Sequence, residues 1–212
     1  MRVKTVLFDL DGTLWAPHSV VLPAYRRVFD QLGLPLPDED TLLDTLGYQN
    51  DQIWRRLLPE ADSATRERAD RLMEQAEHDL LLAGHGEPFP GVRGTLAALV
   101  EAGCSLYVLS NCGAKYLHTV PECLGIDTYL QDRFCAGDFP GLSKQQILST
   151  VLPQLQLPAA MVGDRWHDIA AGKGNGLLTI GCRFGMGDEQ ELSQADHLID
   201  QFSDLLKVLA AV

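Results

Sequence analysis

The sequence predicts an α/β protein: a parallel-sheet core interrupted just after its first strand by an all-helical insert. Three observations carry this. From residue 92 onward, short apolar runs alternate with helix-like segments, the rhythm of right-handed βαβ units. The runs LYVL (106–109) and AMV (160–162) are apolar throughout, as strands covered on both faces are. Between Trp15 and Pro90 the chain shows helical periodicities broken by loops and no strand-like run.

Taken in order, VKTVLF (3–8) is the first strand. Over 20–32, Val21, Tyr25, Val28, Phe29 and Leu32 recur at helical spacing. Short helices are expected over 42–46 and 53–58, with GYQND (47–51) a loop broken by Gly47 and Asn50. Ser63 is the expected N-cap of a longer helix reaching about residue 82. AGHGEPFPG (83–91) then stops the helical pattern. A helix over 92–101, a strand SLYVLS (105–110), a helix over 115–124 and a weak strand RFCAGD (133–138) follow. A helix over 144–155, a strand AAMVGD (159–164), a helix over 168–175, a strand LLTIGC (177–182) and a closing helix over 202–210 complete the core. The expected division is therefore 1–14 with 91–212 as core and 15–90 as insert.

Composition narrows the function. At 212 residues, 46% hydrophobic and 22% charged, this is an ordinary globular chain without repeats. No apolar run approaches the roughly 20 residues that cross a membrane, and MRVKTVLFDLDG lacks the apolar core of an export signal. Cys104, Cys112, Cys123, Cys135 and Cys182 form no CxxC pair and no zinc-like spacing with histidine. That pattern suits reduced thiols in a cytoplasm. Seventeen basic against 29 acidic residues give a net charge of −12, which excludes nucleic acid and anionic membranes as partners. An anionic substrate must therefore meet positive charge supplied locally.

The strand ends collect the polar chemistry. In open parallel sheets, ligands bind outside the carboxyl ends of the strands. The first strand ends in Asp9-Leu10-Asp11, another in Ser110-Asn111, a third in Gly163-Asp164 with Asp168 four residues on. Carboxylates converging on one spot are costly unless a cation binds among them, and oxygen-only ligation favours Mg²⁺. The two aspartates of VLFDLDGTLW point the same way if the chain stays extended, and Gly12 lets the backbone turn away.

With these motifs in place, the sequence resembles the haloacid dehalogenase-like hydrolase superfamily. It is similar more narrowly to the phosphoglycolate phosphatase and β-phosphoglucomutase branch, with DLDGT, S-N, an isolated lysine in GLSKQQ and GDRWHDIAAGKGNG in the branch's order. The resemblance implies a Rossmann-like core with a helical cap and a Mg²⁺-dependent phosphatase acting on a small phosphorylated metabolite. It implies Asp9 as nucleophile, forming an aspartyl-phosphate, and Asp11 as general acid and then base. Asp9, the Asp11 backbone carbonyl and Asp164 match the metal ligands, with Asp168 a ligand or a neighbour of one. Ser110 and the Asn111 amide match donors to the phosphoryl group, and Lys144 matches the lysine that neutralises it; Gln145 follows where many relatives have proline.

Rivals are weighed on residues. The superfamily's dehalogenases lack the second aspartate, and its phosphonate-cleaving members replace it and add a cap lysine, whereas residues 15–90 contain no lysine. A sugar-phosphate mutase shares every core motif, and a non-catalytic regulator would retain the fold alone. Ser110-Asn111 and Asp168 also suit helix N-caps, Trp15 a hinge or core position, Cys112 a small buried residue and His167 a surface or supporting position. Substrate choice is expected in the loop 47–50 through Tyr48 and Gln49, with Arg55 or Arg56 meeting an anionic leaving group. The sequence leaves the substrate and the oligomeric state open.

Overall fold

The structure, a computed structural model, describes residues 2–212. Six parallel strands form one sheet in the order β3-β2-β1-β4-β5-β6. The strands are β1 (Thr5–Phe8), β2 (Ser105–Ser110), β3 (Asp132–Cys135), β4 (Ala159–Gly163), β5 (Leu178–Cys182) and β6 (His197–Ile199). Four helices separate β1 from the rest of the core: α1 (His18–Leu32), α2 (Glu39–Leu43), α3 (Asn50–Leu57) and α4 (Ser63–Leu82). The core helices are α5 (Val92–Glu101), α6 (Ala114–Cys123), α7 (Lys144–Val151), α8 (Trp166–Gly174), α9 (Glu189–Leu192) and α10 (Leu205–Ala211).

The register positions the site. Phe8 pairs with Val108 on one side and Val162 on the other. The Asp9 amide continues the ladder by donating to the Val162 carbonyl at 2.9 Å. Strand order reverses at β1, which opens a crevice over its carboxyl end.

Alternation along the strands divides the core in two. Val6, Phe8, Val108, Val162 and Ile180 face an apolar cluster continuous with α5, α10 and the inserted helices. Leu7, Leu109 and Met161 face the other way, onto Ile147, Leu148 and Val151 of α7. The two chain segments joining insert to core lie side by side, with Trp15 bridging to Pro88 and the Phe89 amide donating to the Leu14 carbonyl at 3.0 Å.

Several boundaries move for local reasons. Asp62, not Ser63, caps α4, its carboxylate accepting from the Thr65 amide at 2.8 Å. Asp38 caps α2 in the same way, so that helix sits earlier than the 42–46 expected. Asn50 and Asp51, expected in a loop, open α3. The helix expected over 144–155 ends at Val151, and a 3-10 turn, Leu152–Gln154, follows with Pro153 inside it. The weak strand expected over 133–138 is the shorter Asp132–Cys135, and α8 begins two residues before Asp168. The closing helix opens with a separate 3-10 turn, Phe202–Asp204. The short elements β6 and α9 carry too few residues for a period to show.

Candidate active site

Asp9 directly follows β1, and its carboxylate is almost fully buried. Gly12 then turns the chain with φ +83°, and any Cβ there would collide with the Asp164 carboxylate. Glycine is thus required both by the left-handed backbone and by the close approach.

Lys144 is the first residue of α7, whose start is fixed by a capping box between Ser143 and Gln146. Its Nζ donates to Asp9 Oδ1 at 2.5 Å and to Asp168 Oδ1 at 2.6 Å. Burial works against the lysine's charge, but Asp168 and Asp9 outweigh it and hold its pKa above the ordinary value. The other oxygen of Asp168 accepts from the Arg165 amide at 2.9 Å, so Asp168 also secures the start of α8.

Asp164 follows β4 and accepts from Thr13 Oγ1 at 3.0 Å and from the Met186 amide at 2.8 Å. Burial, and then Asp168, push its pKa up to about 7. Asp9 is raised as well, by burial first, with Lys144 pulling down and Asp168 and Asp164 pushing up. Oxygens of Asp9, Asp164 and Asp168 all lie within 4.8 Å of one another. One lysine against three buried carboxylates leaves negative charge uncompensated, and the all-oxygen donor set fits a hard divalent cation.

Asp11 stands apart from that cluster. Its Oδ1 accepts from Trp15 Nε1 at 2.8 Å and from the Tyr116 hydroxyl at 2.9 Å. Burial raises its pKa to about 6 despite those two donors, a value suited to moving protons near neutral pH. Trp15, fully buried, therefore orients Asp11.

Ser110 and Asn111 close the end of β2. Neither caps α6, which begins at Ala114 after Gly113. Ser110 Oγ accepts from the Cys112 amide at 3.3 Å. Asn111 Nδ2 donates to the Gly47 carbonyl at 2.8 Å, while its buried Oδ1 has no partner among the described residues.

The inserted loop is pinned to the core. Besides Asn111, Gln49 Nε2 donates to the Leu142 carbonyl at 2.7 Å and Arg165 Nη1 to the Leu46 carbonyl at 2.6 Å. Tyr48 lies under the Arg56 guanidinium at 3.8 Å and edge-on to His167. His167 stacks on Trp166, and burial lowers its pKa to about 4. Arg55 is exposed and pairs with Asp51 at 3.6 Å. Both arginines line an outer cleft with Lys144 and His167, not the cavity that reaches Asp9.

That inner cavity, about 230 Å³, runs from Asp9, Asp11, Ser110 and Asn111 to a wall formed by the inserted helices, with Cys112 in its lining. Sequence reasoning brings out the carboxylates and Lys144 but not Thr13, Tyr116, Arg165 or the Met186 amide. Trp15, four residues from Asp11, reads in the sequence only as a hinge or core position.

Comparison with known proteins places this geometry among others. The family model described as a haloacid dehalogenase-like hydrolase matches residues 3–176. Phosphoglycolate phosphatase of Vibrio parahaemolyticus is 28% identical, over 98% of this chain and 96% of its own. A 5'-nucleotidase of Pseudomonas aeruginosa is 27% identical, over 99% of this chain and 96% of its own. Among solved structures, a predicted phosphoglycolate phosphatase from Haemophilus somnus superposes with a TM-score of 0.88 at 22% identity, covering 99% of both chains.

Proposed function

Because the chain belongs to the haloacid dehalogenase-like hydrolase family and is a phosphoric monoester hydrolase, we propose that it hydrolyses a small phosphorylated metabolite through an aspartyl-phosphate on Asp9. The observation that supports this best is the buried Lys144, which bridges Asp9 and Asp168 beside Asp164 while Asp11 is held separately. Asp9 attacks phosphorus, a bond forms from its carboxylate oxygen, and the ester P–O bond breaks. Asp11 gives its proton to the departing oxygen and then takes one from the water that hydrolyses the acyl phosphate. Ser110 and the Asn111 amide orient the phosphoryl oxygens, and Lys144 neutralises charge on them and on Asp9.

We assign the metal as Mg²⁺, held by Asp9, Asp164 and the Asp11 backbone carbonyl, with Asp168 alongside. When bound, it supplies the charge neutralisation that phosphoryl transfer requires. Residues 15–90 act as a cap over a core of 1–14 and 91–212. Among the described residues no cysteine forms a disulfide, which fits a cytoplasmic location. Among the described residues, no helix is long and apolar enough to cross a membrane.

Two relatives of nearly equal identity carry different substrates in their names, so neither name transfers. The test is phosphate release from a metabolite panel with Mg²⁺, comparing wild type with Asp9→Asn. The expected loss in kcat is on the order of a thousandfold on every substrate, with the fold intact by circular dichroism. A variant keeping about a tenth of wild-type kcat would overturn the nucleophile assignment.

A further inference from the structure

The phosphatase reading leaves the leaving group unidentified, and the far wall of the inner cavity bears on it. Resting on that reading, we propose that the substrate is the phosphate monoester of a small amino alcohol, whose ammonium group is selected by Glu77. Asp70, Glu74 and Glu77 recur at helical spacing on α4, so one face of that helix presents carboxylates to the cavity. Asp70 is already occupied, accepting from Asn50 Nδ2 at 2.9 Å and Trp54 Nε1 at 3.1 Å. Half-buried Glu77 has no hydrogen bond or ion pair with any described residue.

A second observation points the same way. Asn111 Oδ1, in the same lining, is a buried acceptor with no donor among the described residues. The cavity therefore offers unmatched acceptors, which a ligand rich in N–H donors would satisfy. Tyr25, Trp54 and Tyr116 add aromatic surface, favourable to a desolvated cation.

Most of the positive charge that would welcome an anionic leaving group is placed elsewhere. Arg55 and Arg56 lie on the outer cleft, and the cap has no lysine. Lys115, on α6, is in the inner lining but exposed. A carboxylate leaving group would add a like charge beside Asp11 and Glu77. Burial and then Asp11, Asp70 and Glu74 already raise the Glu77 pKa, and a cation relieves that repulsion. The volume of about 230 Å³ falls below the roughly 300–1,000 Å³ of pockets for drug-sized ligands, so the group is small.

The experiment measures kcat/KM with Mg²⁺ for O-phosphoethanolamine, 2-phosphoglycolate and p-nitrophenyl phosphate, in wild type, Glu77→Gln and Glu77→Lys. Wild type is expected to favour phosphoethanolamine over phosphoglycolate by about tenfold or more, as a partly buried charge pair allows. In Glu77→Gln the ratio of phosphoethanolamine to p-nitrophenyl phosphate should fall by about tenfold, and Glu77→Lys should turn preference toward phosphoglycolate. Glutamine keeps the shape of the side chain, and a thermal melt checks that it folds. A wild type that cleaves p-nitrophenyl phosphate yet prefers phosphoglycolate would overturn this assignment alone. An unchanged ratio in Glu77→Gln would do the same. A wild type that cleaves none of the three would overturn the phosphatase reading and this assignment with it.

Discussion

The two ends of the inner cavity are built by opposite means. At the core end Asp9, Asp11, Asp164, Asp168 and Lys144 come from strand ends or the first turns of helices, and each has a named partner. Lys144 holds Asp9 and Asp168, Thr13 and the Met186 amide hold Asp164, and Trp15 and Tyr116 hold Asp11. At the cap end the charge sits on one face of a long helix, and Glu77 has no hydrogen bond or ion pair among the described residues. Preorganised groups suit chemistry at phosphorus, which needs charge fixed in advance. Unmatched groups suit recognition, because their partner arrives with the substrate. On the function proposed, the fold separates what is done from what it is done to.

The severest way to break that division is to remove Lys144. Lys144→Met leaves Asp9 and Asp168 buried without their cation, which costs about 3–5 kcal/mol. For a chain of this size that lowers Tm by about 6–20 °C in metal-free protein near neutral pH. If the lysine acts at phosphorus as proposed, the loss of kcat should be equal for phosphate esters of any leaving group. Differential scanning fluorimetry and a substrate panel check both halves. A loss that depends on the leaving group would mean the two ends are not separate.

A milder test titrates the ends against each other. Asp164 stands at about 7 in the fold against 3.8 ordinarily, and Asp9 is raised in the same direction. Between those values the folded state keeps a proton that the unfolded chain has released, so stability falls as pH rises through that window. Metal-free Tm should therefore fall from about pH 5 to about pH 7.5. Mg²⁺ should restore it by roughly 5 °C at the higher pH and change it little at the lower, where the carboxyls are protonated. Glu77 is raised too, by burial first and then by Asp11, Asp70 and Glu74, so Glu77→Gln should reduce the fall. A Tm that rises with pH in metal-free protein would contradict the assignment of those carboxylates.

The same division explains what the sequence made legible. Asp9, Asp11 and Asp164 follow strands whose apolar pattern marks where they stop, so their convergence could be argued from the topology, whereas Lys144, which opens α7, was legible only through the family resemblance. Thr13, Trp15 and Tyr116 carry no such mark, because a hydroxyl or an indole reads as packing until its partner is known. Glu77 is hidden for another reason. Its helix, RERADRLMEQAEHD, carries charge on several faces, and only the packing of α4 against α1 and α6 selects the face that meets the cavity. The loop 47–50 is expected to aim side chains at the substrate; Tyr48 and Asn50 line the inner cavity, while Leu46, Gly47 and Gln49 make polar contacts to the core.

That last point sets the finest test of the comparison. Gln49 Nε2 donates to the Leu142 carbonyl at 2.7 Å, and the bond joins the loop to the segment that precedes Lys144. If the loop serves closure, Gln49→Ala loosens the lid over both ends of the cavity without preferring one. Losing one partly buried hydrogen bond costs about 1 kcal/mol, so kcat/KM should fall about fivefold. The fall should be the same for phosphoethanolamine, phosphoglycolate and p-nitrophenyl phosphate, because none of their leaving groups meets the amide while it is bonded to Leu142. Gln49→Glu should behave alike, since a carboxylate cannot donate to a carbonyl. Were either variant to change one substrate by about tenfold and spare the others, Gln49 would leave Leu142 and read the leaving group itself. Recognition would then be shared between the loop and α4 rather than concentrated at Glu77.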